Sequence, residues 1–280
     1  MKPKLHRRAF VHTAGWALVG APAFLMGRAE SAPRTLALIG DRPHNSDFIR
    51  TALARLFKSL NLPFDFTTDY EKLSARLLAD YQLFICFRDG MISPDGYLGP
   101  NAYSYSEYLE NADDFPESKP VDWITNEQGR AVKDFVEKGG GFYALHNSSH
   151  ISLSSKDFRD VMGGAYIGHP PLRPFQVRVT NPDHPITRGV KDFVVTEEQH
   201  YLIYDKDPKA VLVRSVNEEG LEYSTPKYGN QGATCEACWA YDYGKGRVCF
   251  MAPGHTIPSF WNPEYVKLQK NALRWLLREA

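Results

Sequence analysis

The chain has 280 residues, room for one large domain or two small ones, and 43% of them are hydrophobic, enough for a sizeable core. Its 33 basic residues are matched by 33 acidic ones. No net field therefore draws nucleic acid or an anionic membrane, and no nucleic-acid-reading motif occurs.

The N-terminal region reads as a targeting segment. Lys2, Lys4, Arg7 and Arg8 form a basic start, Ala9 to Met26 is apolar and small, and Ala29-Glu30-Ser31 offers small residues where a signal peptidase cuts. His6-Arg7-Arg8-Ala9-Phe10-Val11 resembles a twin-arginine export signal. Residues 1–31 are thus expected to be a removed signal peptide, and residues 32–280 a mature domain that works in the periplasm or outside the cell. No later stretch is long enough to span a bilayer, so stable membrane insertion is not expected.

Thr35 to Ile39 is a short apolar strand that ends in Gly40-Asp41-Arg42-Pro43-His44-Asn45. A helix capped by Ser46 follows, with Phe48, Ile49, Leu53, Leu56 and Phe57 at helical spacing. This is the opening of a βαβ unit. Phe64–Thr67 reads as a second strand, Tyr70–Leu78 as a short helix and Leu83–Phe87 as a buried third strand. Such continuous apolar runs suit parallel strands covered on both faces. Residues 91–121 lack periodicity but carry Tyr97, Tyr103, Tyr105 and Tyr108. They read as an insertion, either a pocket wall or a surface addition.

Glu127 to Glu137 is a helical pattern stopped by Gly139-Gly140-Gly141. Phe142–Leu145 is a buried strand, and polarity then flips to His146-Asn147-Ser148-Ser149-His150. In an open α/β sheet, ligands bind at the carboxyl ends of strands. A helix over 155–162, strands at 175–180, 193–196 and 211–213, a hairpin turning at Asp242–Gly246 and a helix from Pro263 to Glu279 complete the pattern. The fold class is α/β with a mostly parallel sheet. Of the four cysteines, Cys86 and Cys249 sit in apolar runs, whereas Cys235 and Cys238 have a C-x-x-C spacing. In an exported protein that pair is either a local disulfide or two plain thiols.

His44, His146, His169 and His255 each follow a strand-like run with Gly or Pro near them, and Glu197, Glu198 and His200 end another. Strand ends collect on one edge of a parallel sheet, so these residues can converge from afar. Imidazoles with a carboxylate suit zinc or a similar divalent ion. For any single histidine a backbone-bonded role is the simpler reading; the repetition favours a site. There is no H-x-E-x-H or H-E-x-x-H signature, P-loop, G-x-G-x-x-G or G-x-S-x-G, so no nucleotide cofactor and no serine hydrolase are expected.

Seven pieces in order carry a resemblance: Gly-Asp-Arg-Pro-His-Asn at 40–45, Gly-Gly-Gly-Phe-Tyr-Ala-Leu-His at 139–146, Gly-Gly-Ala-Tyr-Ile-Gly-His-Pro at 163–170, Asp-His-Pro-Ile-Thr-Arg-Gly-Val at 183–190, Glu-Glu-Gln-His-Tyr at 197–201, Tyr-Gly-Lys-Gly-Arg-Val at 243–248 and Gly-His-Thr at 254–256. The whole mature chain resembles the ThuA-like, or trehalose-utilisation, family. The resemblance implies the flavodoxin-like fold of class I glutamine amidotransferases, a three-layer sandwich with helices on both faces. Amidotransferases of this fold place a nucleophilic cysteine after the central strand, where this chain has Leu145-His146-Asn147, so thiol chemistry is not expected. The resemblance also implies sugar metabolism and one pocket lined by His146, His169, His255 and the acidic pair near Glu198.

The resulting expectation is an exported enzyme that hydrolyses or isomerises a sugar or keto-sugar derivative. A divalent metal would be held by His146, His169, His255 and Glu198. Glu198, Glu197 and His146 would serve in catalysis, and His44, Asp41, Asn147, His200 and Tyr201 in substrate binding. The alternative is a non-catalytic carbohydrate- or partner-binding protein on the same fold. A small-molecule carbohydrate is the expected partner, nucleic acid is not, and a homo-oligomer is left open.

Overall fold

The computed structural model describes residues 34–92 and 120–279. The proposed signal segment and most of the 91–121 insertion lie outside the described residues. No described helix is long and apolar enough to cross a membrane.

Strands β1 (Thr35–Ile39), β2 (Phe64–Thr67) and β3 (Leu83–Phe87) open the chain, with helix α1 (Ser46–Lys58) after β1 and the short α2 (Ala75–Leu78) before β3. Two-residue strands β4 (Met91–Ile92) and β5 (Val121–Asp122) pair antiparallel and tie together the ends of the insertion. Helix α3 (Asn126–Glu137) leads into β6 (Gly141–Leu145), and α4 (Lys156–Met162) into β7 (Gly164–Gly168) and β8 (Arg173–Val179). Then come β9 (Phe193–Glu197), β10 (Tyr201–Tyr204), β11 (Val211–Val216), the small ribbon β12 (Ser224–Thr225) and β13 (Gly229–Asn230), β14 (Thr234–Tyr243) and β15 (Gly246–Met251). Helices α5 (Ile257–Phe260) and α6 (Pro263–Leu276) close the chain.

The main sheet has nine strands in the order β2-β1-β3-β6-β15-β14-β11-β8-β9. The first five run parallel in the flavodoxin order, and the last four extend the sheet by antiparallel pairings. Four alternations of direction separate β15 from β9, so β9 again points the way of β15. Its carboxyl end therefore faces the same edge as those of β1, β3, β6 and β15. Strands β7 and β10 form a separate antiparallel pair; the glycine-rich β7 segment carries no apolar alternation to announce it.

Local sequence explains the elements. Strands β1, β3 and β6 are buried at every position, as strands covered on both faces must be. Helix α3 packs on both α2 and α4, and α5 on α1 and α6, and members of both groups pack against β15. Phe142 meets Phe158 of α4, whereas the neighbouring Tyr143 lies beside Tyr265 of α6, the alternation of a strand between two helical layers. The cap of α1 is Asn45, one residue before the expected Ser46, because its side chain accepts the Asp47 N–H at 2.7 Å. Helix α3 starts with a capping box made by Thr125 and Gln128. The Tyr70–Leu78 helix divides into a single 3-10 turn and α2, which begins again at a Ser74 cap.

The cysteines settle the C-x-x-C alternative. All four are free and buried, and Cys235 and Cys238 lie along one strand, β14. Residues three apart on a strand point to opposite faces and cannot bridge. Cys235 instead donates to the His200 carbonyl at 2.7 Å. Thiol titration of the denatured, unreduced protein should find four free thiols per chain, and reductant should leave the thermal midpoint unchanged.

Candidate active site

The edge of the sheet where β1, β3, β6, β9 and β15 end is lined by the loops that follow them. The chain leaves β1 toward β2 on one side and leaves β3 toward β6 on the other, so the β1/β3 boundary is the topological switch point of the parallel half. Loops from both strands meet there. Asp41 accepts the His44 backbone N–H at 2.9 Å and the His44 Nδ1–H at 2.7 Å through Oδ1. Its Oδ2 accepts the Asp89 N–H at 2.7 Å and Asn147 Nδ2 at 2.6 Å. Burial works against the Asp41 charge, but these bonds outweigh it and hold the carboxyl below its ordinary range. With the carboxylate taking the Nδ1 proton, the 2.7 Å approach of Asn147 Nδ2 to the same nitrogen is a close contact and not a second hydrogen bond, and His44 Nε2 is left buried without a partner.

His146 stands directly after β6 at φ +49°, a left-handed conformation that non-glycine residues rarely take. A 3-10 turn from His146 to Leu153 follows. Its ring is fully buried, and Nδ1 donates to the Ala252 carbonyl at 2.7 Å. Nε2 is then the nitrogen that faces Glu198, 3.3 Å from Oε2 and outside hydrogen-bond geometry. His169 repeats the arrangement: Nδ1 donates to the Pro170 carbonyl at 2.8 Å and Nε2 faces Glu198 Oε2 at 3.5 Å. His255 Nδ1 approaches the same oxygen at 3.1 Å and His200 Nε2 at 3.4 Å.

Four imidazoles therefore turn on one carboxylate oxygen. Burial alone would push the Glu198 carboxyl up, but His146, His200 and His255 outweigh it and hold the group well below the ordinary carboxylate range. The Glu198 carboxylate in turn raises His255. Burial, with His146 beside it, pushes His200 well below its ordinary value and keeps it neutral. Nitrogen lone pairs set against a carboxylate oxygen repel unless a proton or cation sits among them. Donor atoms of His44, His146, Glu198 and His255 lie within 4.8 Å of one another, and Glu198 forms a second such group with His169 and His200. Imidazoles around an ionised carboxylate, with the far nitrogens of His44 and His146 held by a carboxylate and a carbonyl, are a donor set that can hold a divalent ion once the rings are deprotonated. The group opens on a cavity of about 220 Å³, also lined by Asp89, Asn147, His150 and Tyr166.

The ThuA family model, described as trehalose utilisation, matches residues 40–276. The chain belongs to the ThuA family. A solved ThuA-like protein from Bacteroides uniformis is 20% identical, with 92% of this chain and 95% of that one covered and a TM-score of 0.58. A ThuA-like protein from Parabacteroides merdae is 15% identical over 87% and 89% of the two chains, with a TM-score of 0.60. The β-galactosidase of Rahnella sp. R3 shares the fold at 12% identity and a TM-score of 0.52; 89% of this chain covers 32% of that enzyme. No curated protein matches the chain.

In this ThuA chain, His44, Asn147, His169, Glu198, His200 and His255 line one cavity, with His146 buried behind Glu198 and Asp41 behind His44. The donors group differently from the expected set, for His44 rather than His169 joins His146 and His255. Two further expected site residues, Glu197 and Tyr201, neither line the cavity nor back a residue that does. Glu197 is fully buried, its Oε1 accepts the Thr256 N–H at 2.6 Å and its Oε2 the Glu198 N–H at 3.0 Å, so it ties the end of β9 to the loop after β15. Strand alternation explains this, because adjacent residues at a strand end face opposite ways. Tyr201 likewise turns away, its hydroxyl donating to the Gly232 carbonyl at 2.9 Å. Sequence reasoning assigned nothing to Asp89 or Tyr166. Asp89 follows β3 just as Asp41 follows β1, and that position was its signal; Tyr166 sits on the unannounced β7.

His146 also depends on a glycine across the cavity floor. A Cβ on Gly254 would lie 2.8 Å from the His146 Cβ and 3.3 Å from Phe87. Gly254→Ala should lower stability by about 1–3 kcal/mol through overpacking, read as a reduced urea midpoint with an unchanged slope.

Proposed function

We propose that this ThuA-family chain is a metal-dependent enzyme that hydrolyses or isomerises a sugar or keto-sugar derivative after export. The observation that carries the reading is the convergence of His146, His169, His200 and His255 on Glu198 Oε2, with His44 alongside. No purely structural need explains placing so many imidazoles around one buried carboxylate. The sugar class comes from the family's description as trehalose utilisation.

His44, His146, His255 and Glu198 would hold the ion. A bound divalent ion supplies a Lewis acid for a carbonyl or hydroxyl oxygen and lowers the pKa of a bound water. Asp41 and the Ala252 carbonyl orient the His44 and His146 rings, so that the donor nitrogens face inward before any ligand arrives. His169, half-exposed on the cavity wall, meets the substrate, and neutral His200 behind it keeps Glu198 in place.

Metal analysis tests the reading directly. Purified wild type should carry a stoichiometric divalent ion, and His146→Ala or His255→Ala should weaken its retention tenfold or more. A wild type without a stoichiometric ion sinks the metal reading. Because imidazoles bind metal only when deprotonated, affinity should fall as pH drops from about 7 to 5. His255, whose pKa is raised by Glu198, is the donor at which protons compete from the highest pH.

A turnover screen on disaccharides and their keto derivatives should find a substrate that wild type converts and His146→Ala does not. Binding of sugars without conversion of any would instead favour a carbohydrate-binding role.

A further inference from the structure

In the same cavity, Asp89 and His150 form a pair that holds none of the metal donors. Asp89 follows β3, and His150 ends the first part of the turn after β6. His150 Nδ1 lies 3.2 Å from Asp89 Oδ1, an ion-pair contact outside hydrogen-bond geometry, and both side chains reach the cavity, 18% and 22% exposed. Asp89 cannot swing aside. Its Oδ1 accepts the Met91 N–H at 2.8 Å, its own N–H is bonded to Asp41 at 2.7 Å, and its carbonyl accepts Trp123 Nε1 at 2.6 Å. The approach of His150 needs the glycine next in the chain, since a Cβ on Gly90 would stand 2.9 Å from His150 Nδ1 and from the Ile151 nitrogen.

The groups that face this imidazole are Asp89 after β3, Asp122 on β5 and the Tyr166 ring on β7, 5.5 Å away. Burial works against the charged imidazole, but the two carboxylates outweigh it and raise its pKa. With Nδ1 facing a carboxylate, Nε2 is the nitrogen open to a ligand. A carboxylate-backed imidazole that is partly exposed in a cavity, beside a metal donor set but outside it, has the form of a proton-transfer residue.

We propose that His150, held by Asp89, is the general acid–base residue for cleavage of a glycosidic C–O bond in this cavity. The inference rests on the hydrolytic form of the reading above. The His150 Nε2–H bond breaks and its electron pair stays on nitrogen. The proton passes to the bridging oxygen as the C–O bond breaks, and that bond's electron pair goes to the same oxygen. Water then adds to the sugar carbon and its surplus proton returns to Nε2. The net change is one water consumed, with His150 restored. Asp89 offsets the imidazolium charge at the start and end of the cycle and fixes the ring.

The test compares metal-loaded wild type, His150→Gln and Asp89→Asn on an unactivated disaccharide, on its keto derivative and on a nitrophenyl glycoside, whose leaving group needs no proton. His150→Gln should lose about 10²–10⁴-fold in kcat on the disaccharide, under about tenfold on the nitrophenyl glycoside, and keep its metal. Asp89→Asn should move the alkaline limb of the pH profile to lower pH, because the protonated form is the active one and loses its supporting charge. Equal losses on activated and unactivated substrates, or loss of the ion from His150→Gln, would overturn the role and leave His150 a structural residue. Failure of the underlying reading shows in wild type alone, as a metal-loaded protein that cleaves none of the three, and the acid–base role falls with it. NMR titration of the ring reads the pairing without turnover: His150 should titrate above about 6.5 and shift down in Asp89→Asn, and a His150 unmoved by that change overturns the pairing.

Discussion

Everything on the functional edge of this protein answers to one constraint: the Glu198 carboxylate is largely buried, ionised and encircled by imidazoles. A charge in that setting is stable only where its neighbours supply compensating dipoles or charge. Three of the imidazoles around it are committed through their other nitrogen. A backbone carbonyl fixes His146, another fixes His169, and a carboxylate with its own three partners fixes His44. The loops around the site are therefore shaped less by packing than by the need to aim ring nitrogens, and the left-handed backbone of His146 is the local strain that this aiming demands.

Much of the fold was legible because strand and helix signals agreed with their surroundings. The buried runs at β1, β3 and β6 and the glycine stop before β6 could mean little else, and together they imply the parallel half of the sheet. The antiparallel half was visible strand by strand but not as an extension of one sheet, since pairing between β8, β9, β11 and β14 is a tertiary choice with no local signature. Strand β7 was missed because Gly164 and Gly168 break the alternation on which recognition depends.

The site was legible in kind and less so in detail. A histidine after a strand, repeated, was enough to anticipate convergence. It could not rank the members. Whether His44 or His169 joins His146 and His255 depends on how the loops after β1 and β7 fold back, and Glu197 and Glu198 differ only by which side of the chain each faces. Position could tell those two apart only once the last strand residue was known. The residue after β6 takes a left-handed backbone and presents a ring held by the Ala252 carbonyl.

The donor atoms grouped with Glu198 come from segments near residues 44, 146, 169, 200 and 255, and the strands that carry them pair across long stretches of chain. No short piece of the polypeptide contains even two of the four closest-grouped donors. An unfolded or partly made chain thus has little to offer an ion, and whatever ligand the site takes meets it only after the sheet has closed. Ligand concentration then acts almost wholly on the native side of the folding equilibrium, and occupancy of the cavity doubles as a report that the last strand, β15, has found its place between β6 and β14.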